Sequence, residues 1–368
     1  MFEKNRVGEH QEKVSRLEKL MKEKGLDGIC LFKFMNYAWL SAGGTNRVVT
    51  GSERGCSVLV VMGDGKKYVA APANEISRIT QEETVDLDFD PITFPWYGNV
   101  AEKIIKTVAG KKLGSDVPIP GMECISDDID RLRFNLTIWE QVKAKELADI
   151  CSDEMAGLCA GLKPGLSEHQ IAAELSSRLL SRGVKPAVLL IGVDERLSYC
   201  RHPIVTNKKL IKYGLVSLVG EKAGLHVTLT RSVHFGTIPQ ELQEKYAKAC
   251  MVDVQMCEAT KAGAAVDDIF ALCKNAYGEV GFPGEWELHH QGGSIGYAPR
   301  EYRAGERNEL VVVGQMFGWN PTVQGAKSEE TILVNAEGES EVITSVPAWW
   351  PKAKFEKQGA QRPLILEF

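Results

Sequence analysis

Alternating polar side chains mark one segment of the chain as a candidate site. The run VSLVGEKAGLHVTLTRSVHFG (216–236) is typical of a strand, a short turn at Glu221–Gly224 and a second strand. Side chains alternate across a strand, so one face of the second strand carries His226, Thr228, Thr230, Ser232 and His234. Such a face predicts either the lining of a polar site or a solvent-exposed antiparallel sheet, and the pattern leaves both open.

Three more histidines lie outside the apolar runs. His202, in RHPIVTN, is either an exposed loop residue or a proton carrier, because an imidazole can take and return a proton near neutral pH. His289 and His290 precede a Gly-Gly pair, whose missing side chains would let the backbone approach a ligand closely. Since neighbours on a strand point to opposite faces, at most one of the two is expected to line a site. Either could instead be a structural histidine.

Few acidic residues accompany these histidines. Glu301 stands in the tripeptide PRE, and Glu329 stands in KSEET. Glu329 is predicted to orient His202 or to bind a substrate cation, while Glu330 points outward and pairs with Lys327. The same run is also typical of a solvated strand end.

The surrounding pattern predicts alternating helices and strands, because helical spacing and short apolar runs bounded by turn residues succeed one another. The predicted helices cover 8–25, 74–82, 99–109, 140–162, 167–182, 239–262 and 266–280. The predicted strands cover 28–32, 56–62, 67–72, 111–116, 186–191, 214–220 and 225–235. Ser167 with Gln170 is expected to form a capping box at the start of its helix.

Composition is that of a soluble globular protein. The chain has 368 residues and a net charge of −5 with both signs mixed, so nucleic-acid binding is not expected. No apolar run reaches the roughly 20 residues that span a bilayer. The charged N-terminus lacks a signal core, and the nine scattered cysteines fit reduced thiols. We therefore expect a cytoplasmic protein without membrane association.

In order and spacing, these segments resemble the creatinase/prolidase/methionine aminopeptidase superfamily. The resemblance implies an α+β architecture, with a C-terminal pita-bread domain and a smaller α/β creatinase-like N-terminal domain. We expect these domains at 136–346 and 1–135, and a C-terminal tail at 347–368 that packs on the surface or on a partner chain. The resemblance also implies a homodimer, in which Arg54 would reach the neighbouring subunit's site and bind a carboxylate.

Most metal ligands of that superfamily are absent from the matching positions. The two hairpin aspartates fall on Ser217 and Thr228. The histidine of the next motif falls on Gly293 in GGSIG, and a glutamate falls on Asn320 in GQMFGWNP. Only the last acidic ligand, at Glu329, keeps its acid. Ser, Thr, Gly and Asn cannot replace carboxylates and imidazole, so no metal and no other cofactor are expected.

Creatinase, a member that works without metal, is a closer parallel. Its segment A-H-N-P-V-T-N is similar to RHPIVTN, which implies that His202 is the general acid/base. Its creatine-binding glutamates fall on Thr230 and Asn320, and a guanidinium cation is normally held by carboxylates. The resemblance therefore implies that the substrate presents a neutral or anionic group.

The preferred hypothesis is a metal-independent creatinase-like hydrolase that cleaves a C–N bond in a small carboxylate-bearing substrate. The residues expected to act in catalysis are His202, His289, Glu301 and Glu329. The residues expected to bind the substrate are Arg54, His226, Thr228, Thr230, His290, Asn320 and Lys327. One alternative is a non-catalytic pita-bread binding protein. A second is an Xaa-Pro dipeptidase or aminopeptidase-type metallohydrolase with unusual ligands such as His226, His289 and Glu329.

Overall fold

The protein divides into two compact units in a computed structural model that describes residues 6–355 and 360–368. One unit runs to Trp139 and includes the short segment Ala223–Leu225. The other consists of Glu140–Lys222 and His226–Phe368. Within the described ranges, none of the helices is long and apolar enough to cross a membrane.

The first unit is built on one mixed sheet of six strands, in the order β4-β3-β2-β1-β5-β6. The strands are β1 Gly28–Lys33, β2 Arg54–Met62, β3 Lys67–Pro72, β4 Asp90–Phe94, β5 Leu113–Ser115 and β6 Met122–Cys124. The helices are α1 Arg6–Lys24, α2 Phe34–Leu40, α3 Ile76–Arg78 with a π-helical turn Ile79–Glu83, α4 Val100–Thr107 and α5 Ser126–Leu132. Helix α1 ends where predicted, because Gly25 takes a φ of +62°, which favours glycine. Helices α2 and α5 were not predicted.

The second unit combines four long helices with two larger sheets. The helices are α6 Ile138–Gly161, α7 Glu168–Ser181, α8 Gln240–Ala259 and α9 Val266–Glu279, with short 3₁₀ helices at Asp194–Ser198 and Glu285–Leu288. The strands are β7 Lys185–Val193, β8 Tyr213–Lys222, β9 Leu225–His234, β10 Gly292–Ile295, β11 Tyr302–Arg303, β12 Met316–Trp319, β13 Thr322–Val323, β14 Ala326–Lys327, β15 Glu330–Val334, β16 Ser340–Val342, β17 Lys352–Phe355, β18 Ala360–Pro363 and β19 Leu366–Glu367. One sheet has the order β19-β9-β8-β7, and the other has the order β11-β10-β12-β15-β16.

Local sequence signals explain how several of these elements begin. At the start of α7, the Ser167 hydroxyl accepts the Gln170 N–H, and the Gln170 side chain accepts the Ser167 N–H. The predicted capping box is confirmed. The predicted hairpin is also present as β8 and β9, which are neighbours in one sheet.

The C-terminal segment adds a strand to that sheet. Strand β19 pairs with β9 in parallel, with Leu366 opposite Val233, while β17 and β18 form a separate antiparallel hairpin. Of the two tryptophans in this segment, Trp350 is buried and Trp349 is exposed. The predicted surface tail is therefore joined to the second unit by backbone pairing, apart from 356–359, which lie outside the described residues.

Strand β9 meets the beginning of β15, and this contact positions the candidate site. The Thr230 N–H donates to the Glu329 carbonyl at 3.1 Å. The Thr228 N–H donates to the Thr331 hydroxyl at 2.9 Å. The polar face that the sequence predicted on β9 therefore lies against Glu329 and is buried, so the solvent-exposed alternative is wrong.

Candidate functional site

A cavity of about 520 Å³ opens beside β7, β8 and β9 in the second unit. Its polar lining consists of His202, Ser217, Thr228, His290, Arg300, Arg303, Asn320, Lys327 and Glu329. Six of the predicted catalytic or binding residues are among them. The rest of the lining is apolar, so the cavity has a charged end and an aliphatic wall.

Glu329 is held by four side chains, and we call this group the Glu329 cluster. The Thr228 hydroxyl donates to Oε1 at 2.6 Å, and the Thr230 hydroxyl donates to Oε2 at 2.6 Å. The Lys327 ammonium lies 2.6 Å from Oε2, and the Arg300 guanidinium lies 3.5 Å from Oε1. Both carboxylate oxygens therefore have two donors each.

The charges around Glu329 keep it ionised. Burial by itself would raise the pKa of this carboxyl, but the Lys327 ammonium and the Arg300 guanidinium outweigh it and lower the pKa to about 2. Lys327 also donates to the Ser217 hydroxyl at 3.1 Å. The ammonium and the carboxylate thus form a neutral buried pair at the charged end of the cavity.

Two sequence predictions about these charges are wrong. Glu330 pairs with Arg231 at 2.8 Å, while Lys327 pairs with Glu329. Lys327 and Glu329 are two residues apart and reach the same side of the chain, whereas Glu330 points to the opposite side. The two oxygens of Glu329 are also occupied by the cluster, so Glu329 does not orient His202 as predicted.

Three histidines meet at the cavity. Nε2 of His202 lies 3.0 Å from Nε2 of His289. The rings of His289 and His290 stack with centroids 4.5 Å apart, and the His202 and His290 rings lie 5.7 Å apart. Of the two adjacent histidines, His290 lines the cavity, whereas His289 is buried and contacts His202. Both residues lie in the irregular segment between a 3₁₀ helix and β10, where strand alternation does not apply.

The surroundings of these histidines favour the neutral imidazole. Burial, followed by the charge of Lys327, lowers the pKa of His289 to about 2. Burial, followed by the charges of Arg300 and Arg303, lowers the pKa of His290 to about 3. Burial and then Lys327 also lower the pKa of His202, against the opposing effect of Glu329. At neutral pH each ring therefore carries one nitrogen that can accept a proton or bind a cation.

The geometry of the three histidines also suits a cation. Their ligand nitrogens all lie within 4.8 Å of one another. Imidazole nitrogens bind a zinc ion at about 2.0–2.1 Å, so these three histidines form a candidate set of zinc ligands. The cluster predicted from sequence, His226 with His289 and Glu329, is not formed, because Nδ1 of His226 contacts the Gly296 carbonyl at 3.1 Å.

Glu301 and Arg54 are two further predicted residues that do not line the cavity. Glu301 accepts the N–H groups of Tyr297 and Ala298 at 3.0 and 3.2 Å, so it fixes a turn and has no catalytic position. Glu301 is absent from the cavity lining, so this geometry gives its predicted catalytic role no support. Arg54 is exposed at the start of β2 in the first unit. Asn320, by contrast, lines the cavity and is buried.

Two arginines of the cavity were missed by the sequence analysis. Arg300 and Arg303 both line it, and Arg303 pairs with Glu306 at 2.8 Å. Arg300 stands in the PRE tripeptide that drew attention to Glu301. Arg300 is therefore a better candidate than Glu301. Only the folded turn shows that Arg300 faces the cavity while Glu301 accepts backbone N–H groups.

The divalent metals implied by the superfamily resemblance do not fit the residues present. At the five ligand positions, Glu329 is the single acid, and the Lys327 ammonium bridges its carboxylate and Ser217. A Cβ atom on Gly293 would lie 2.2 Å from the Tyr302 carbonyl oxygen, so this backbone leaves no room for a ligand side chain. The glycines thus allow strands to approach each other, whereas the sequence analysis predicted the approach of a ligand.

Comparison with known proteins supports the same family and fold. The family described as "Metallopeptidase family M24" matches residues 142–336, which is 195 of 368 residues. An "uncharacterized peptidase" of Staphylococcus aureus is 26% identical over 312 residues, which cover 78% of this chain and 87% of the relative.

Solved structures share the architecture of the whole chain. An Xaa-Pro dipeptidase from Bacillus anthracis has a TM-score of 0.77 at 20% identity and covers 98% of this chain and 100% of its own. A prolidase from Pyrococcus horikoshii has a TM-score of 0.77 at 18% identity, covering 91% and 99%. At these identities the likeness concerns the fold. The predicted α+β fold, a pita-bread domain with an N-terminal domain, is confirmed.

Proposed function

Because the chain belongs to metallopeptidase family M24, we propose that it is a hydrolase of small C–N substrates that works without the family's paired metals. The substrate carries a carboxylate, and His202 transfers the proton. The observation that carries this proposal is the His202–His289 contact of 3.0 Å beside the cavity. Glu329, the one carboxylate in the described lining, already accepts hydrogen bonds at both oxygens. A cytoplasmic homodimer, with Arg54 contributed to the partner's site, belongs to the same proposal.

His202 is suited to general acid–base catalysis. It lines the cavity and is exposed, so a substrate and a water molecule can reach it. Its lowered pKa leaves the imidazole neutral at pH 7, which is the form that accepts a proton. The buried ring of His289 holds it in place through the Nε2–Nε2 contact.

The hydrolytic step follows from this arrangement. His202 takes a proton from water while the water oxygen attacks the carbonyl carbon. When the C–N bond breaks, His202 gives that proton to the departing nitrogen. The Asn320 amide and the Lys327 ammonium, both on the cavity wall, are placed to stabilise the negative charge that develops on the carbonyl oxygen.

The test is hydrolysis of a panel of N-acyl, ureido and amide acids by protein purified in the presence of a chelator. For a hydrolysed compound, His202→Ala should lower kcat/KM by about 10²–10⁴-fold, the usual contribution of a positioned acid/base. The matched control is His169→Ala, because His169 is an exposed histidine on α7. If His202→Ala keeps wild-type kcat/KM, the proposed mechanism is wrong.

A mononuclear metallohydrolase is a second candidate, favoured by the cluster of His202, His289 and His290. Nδ1 of His289 and of His290 also has no hydrogen-bond partner among the described residues. The nearby cations Arg300, Arg303 and Lys327 oppose it, since their positive charge would repel a metal ion. Elemental analysis of protein purified without chelator separates the candidates: a stoichiometric transition metal, lost in a His289→Asn variant, would favour this one.

A further inference from the structure

We propose that the cavity selects N-blocked carboxylates, meaning small anions that carry an apolar group and no free ammonium, and that Arg300 binds their carboxylate. The inference rests on the proposed function, because it concerns the same cavity. Such a ligand differs from a dipeptide with a free N-terminus in that its nitrogen is acylated and carries no charge.

Arg300 is a buried cation whose hydrogen-bonding capacity is largely unused. Its side chain is 15% exposed, and Nε is buried without a hydrogen-bond partner in the described part of the chain. One terminal nitrogen donates to the carbonyl of its own neighbour, Pro299, at 3.0 Å. The other reaches Glu329 only at 3.5 Å. Burial lowers the pKa of Arg300 below its ordinary value, so an anion bound there would relieve the unfavourable desolvation of its charge.

The remaining charges of the lining are already compensated. Lys327 pairs with Glu329 at 2.6 Å, and Arg303 pairs with Glu306 at 2.8 Å. Within residues 6–355 and 360–368, Arg300 is the cavity-lining cation with the longest contact to an acid, 3.5 Å to Glu329, and it shares that acid with Lys327. A guanidinium binds a carboxylate through two parallel hydrogen bonds, which fits a small monoanion.

A free ammonium has no corresponding acceptor. Glu329 is the acidic residue of the described lining, and its two oxygens already accept from two threonines, a lysine and an arginine. An ammonium in the cavity would approach Arg300 and Lys327 without a counter-charge. The amino end of the ligand must therefore be neutral, as in an amide.

The apolar part of the lining favours an apolar substituent. It is formed by Val188 and Leu190 of β7, Leu218 and Val219 of β8, and Ile204 and Pro299. Val188 and Leu190 are half-buried, so a ligand can still cover part of their surface. Removing such surface from water stabilises binding, so an aliphatic side chain or acyl group on the ligand would increase affinity.

Isothermal titration calorimetry at pH 7.5 tests the inference with three matched compounds. N-acetyl-leucine has the carboxylate, the blocked amine and the apolar group, while N-acetyl-leucinamide lacks the carboxylate and glycyl-leucine has a free ammonium. N-acetyl-leucine should bind at least about tenfold more tightly than either of the others, because hydrogen bonds between charged groups stabilise the complex more than those between neutral groups. Equal binding of the amide or the dipeptide, or failure of N-acetyl-leucine to bind, would overturn it.

Variants of Arg300 test whether this residue binds the carboxylate of the ligand. Arg300→Gln should weaken N-acetyl-leucine binding by about 10–100-fold and leave N-acetyl-leucinamide unchanged, and Arg300→Lys should lie between. The matched control is Arg182→Gln, since Arg182 pairs with Glu154 and is 48% exposed. If Arg300→Gln binds N-acetyl-leucine like the wild type, the assignment is wrong. Should the variants fail to fold, the three-compound comparison on the wild type still decides.

Failure of this inference and of the proposed function give different results. Preferred binding of N-acetyl-leucine by His202→Ala protein, with no hydrolysis by the wild type, would support the ligand class and contradict the hydrolase. Hydrolysis that is as fast for glycyl-leucine as for N-acetyl-leucine would support the hydrolase and contradict the ligand class.

Discussion

Glu329 and Glu330 are neighbours in sequence, and both are buried beside a cation, yet they lie in regions of different character. Glu330 accepts two parallel hydrogen bonds from Arg231, at 2.8 and 3.2 Å, and one from Thr344 at 2.5 Å. Arg231 also donates to the carbonyls of Thr230 and Ser345. We call this the Glu330 cluster, and none of its side chains lines the cavity as described.

The Glu329 cluster is equally well paired but is open on one side. It shares the cavity wall with His202, His290 and Arg300, and Arg300 is only weakly compensated. The contrast shows that burial and pairing of a charge do not by themselves identify a site. The distinguishing features are an accessible cavity, a weakly compensated cation and titratable groups that reach solvent.

The largest effect on stability is expected from a substitution in the Glu330 cluster. Arg231→Met should lower the free energy of unfolding by about 3–5 kcal/mol, because it leaves the Glu330 carboxylate buried and unpaired. Urea denaturation at pH 7 measures this loss. Arg182→Met, at an exposed arginine, should change stability by less than about 0.5 kcal/mol. A loss below about 1 kcal/mol in Arg231→Met would remove the contrast between the two clusters.

A smaller effect is expected on the cavity side. Lys327→Met should lower the free energy of unfolding by about 1–3 kcal/mol at pH 7. The loss is smaller than for Arg231→Met because water in the cavity and the two threonines still solvate Glu329. Without the ammonium, burial dominates and the pKa of Glu329 rises. The variant's deficit relative to the wild type should therefore shrink as pH falls from 7 to 5. Denaturation curves at both pH values check this, and a constant deficit would contradict the role assigned to Lys327.

The next effect concerns pH: mild acid should lower the free energy of unfolding, because His289 is buried in its neutral form. The pKa of His289 is lowered from 6.5 to about 2 in the folded protein, so the unfolded chain takes up the proton first. Its contribution to stability is therefore complete above pH 6.5 and is lost as pH falls, by about 1 kcal/mol per pH unit. Thermal unfolding at pH 7, 6 and 5 should show this slope in the wild type. In His289→Asn the slope should be smaller, and an unchanged slope would contradict the prediction.

The smallest effects should distinguish single hydrogen bonds in the two clusters. Thr230→Val and Thr344→Val each remove one hydroxyl donor to a carboxylate, at 2.6 and 2.5 Å. We expect each substitution to lower the free energy of unfolding, measured by urea denaturation, by about 1 kcal/mol. Thr344→Val should leave N-acetyl-leucine binding unchanged, whereas Thr230→Val should alter it, because Glu329 would then draw Arg300 closer. Equal effects on binding would show that the cavity does not separate the clusters.

Much of the architecture followed from local patterns. Apolar periodicity predicted helices α6 to α9 and strands β7 to β9 close to their observed bounds, and the Ser167 capping box was confirmed. Helix α2 was missed because FMNYAWL is almost wholly buried and lacks the polar face that marks an amphipathic helix. Strand alternation and the family resemblance also pointed to His202, Thr228, Asn320 and Lys327, which the fold brings to one cavity.

The sequence by itself determined the family frame, the replacement of metal-ligating residues at Ser217, Thr228, Gly293 and Asn320, and the residue types available for chemistry. Only the tertiary structure decided which charges meet. Pairing of Lys327 with Glu329, stacking of His289 on His290 and the exposure of Arg300 to the cavity depend on chain crossings and irregular turns. Side-chain direction in such segments is set by long-range packing, and periodicity along the chain carries no information about it.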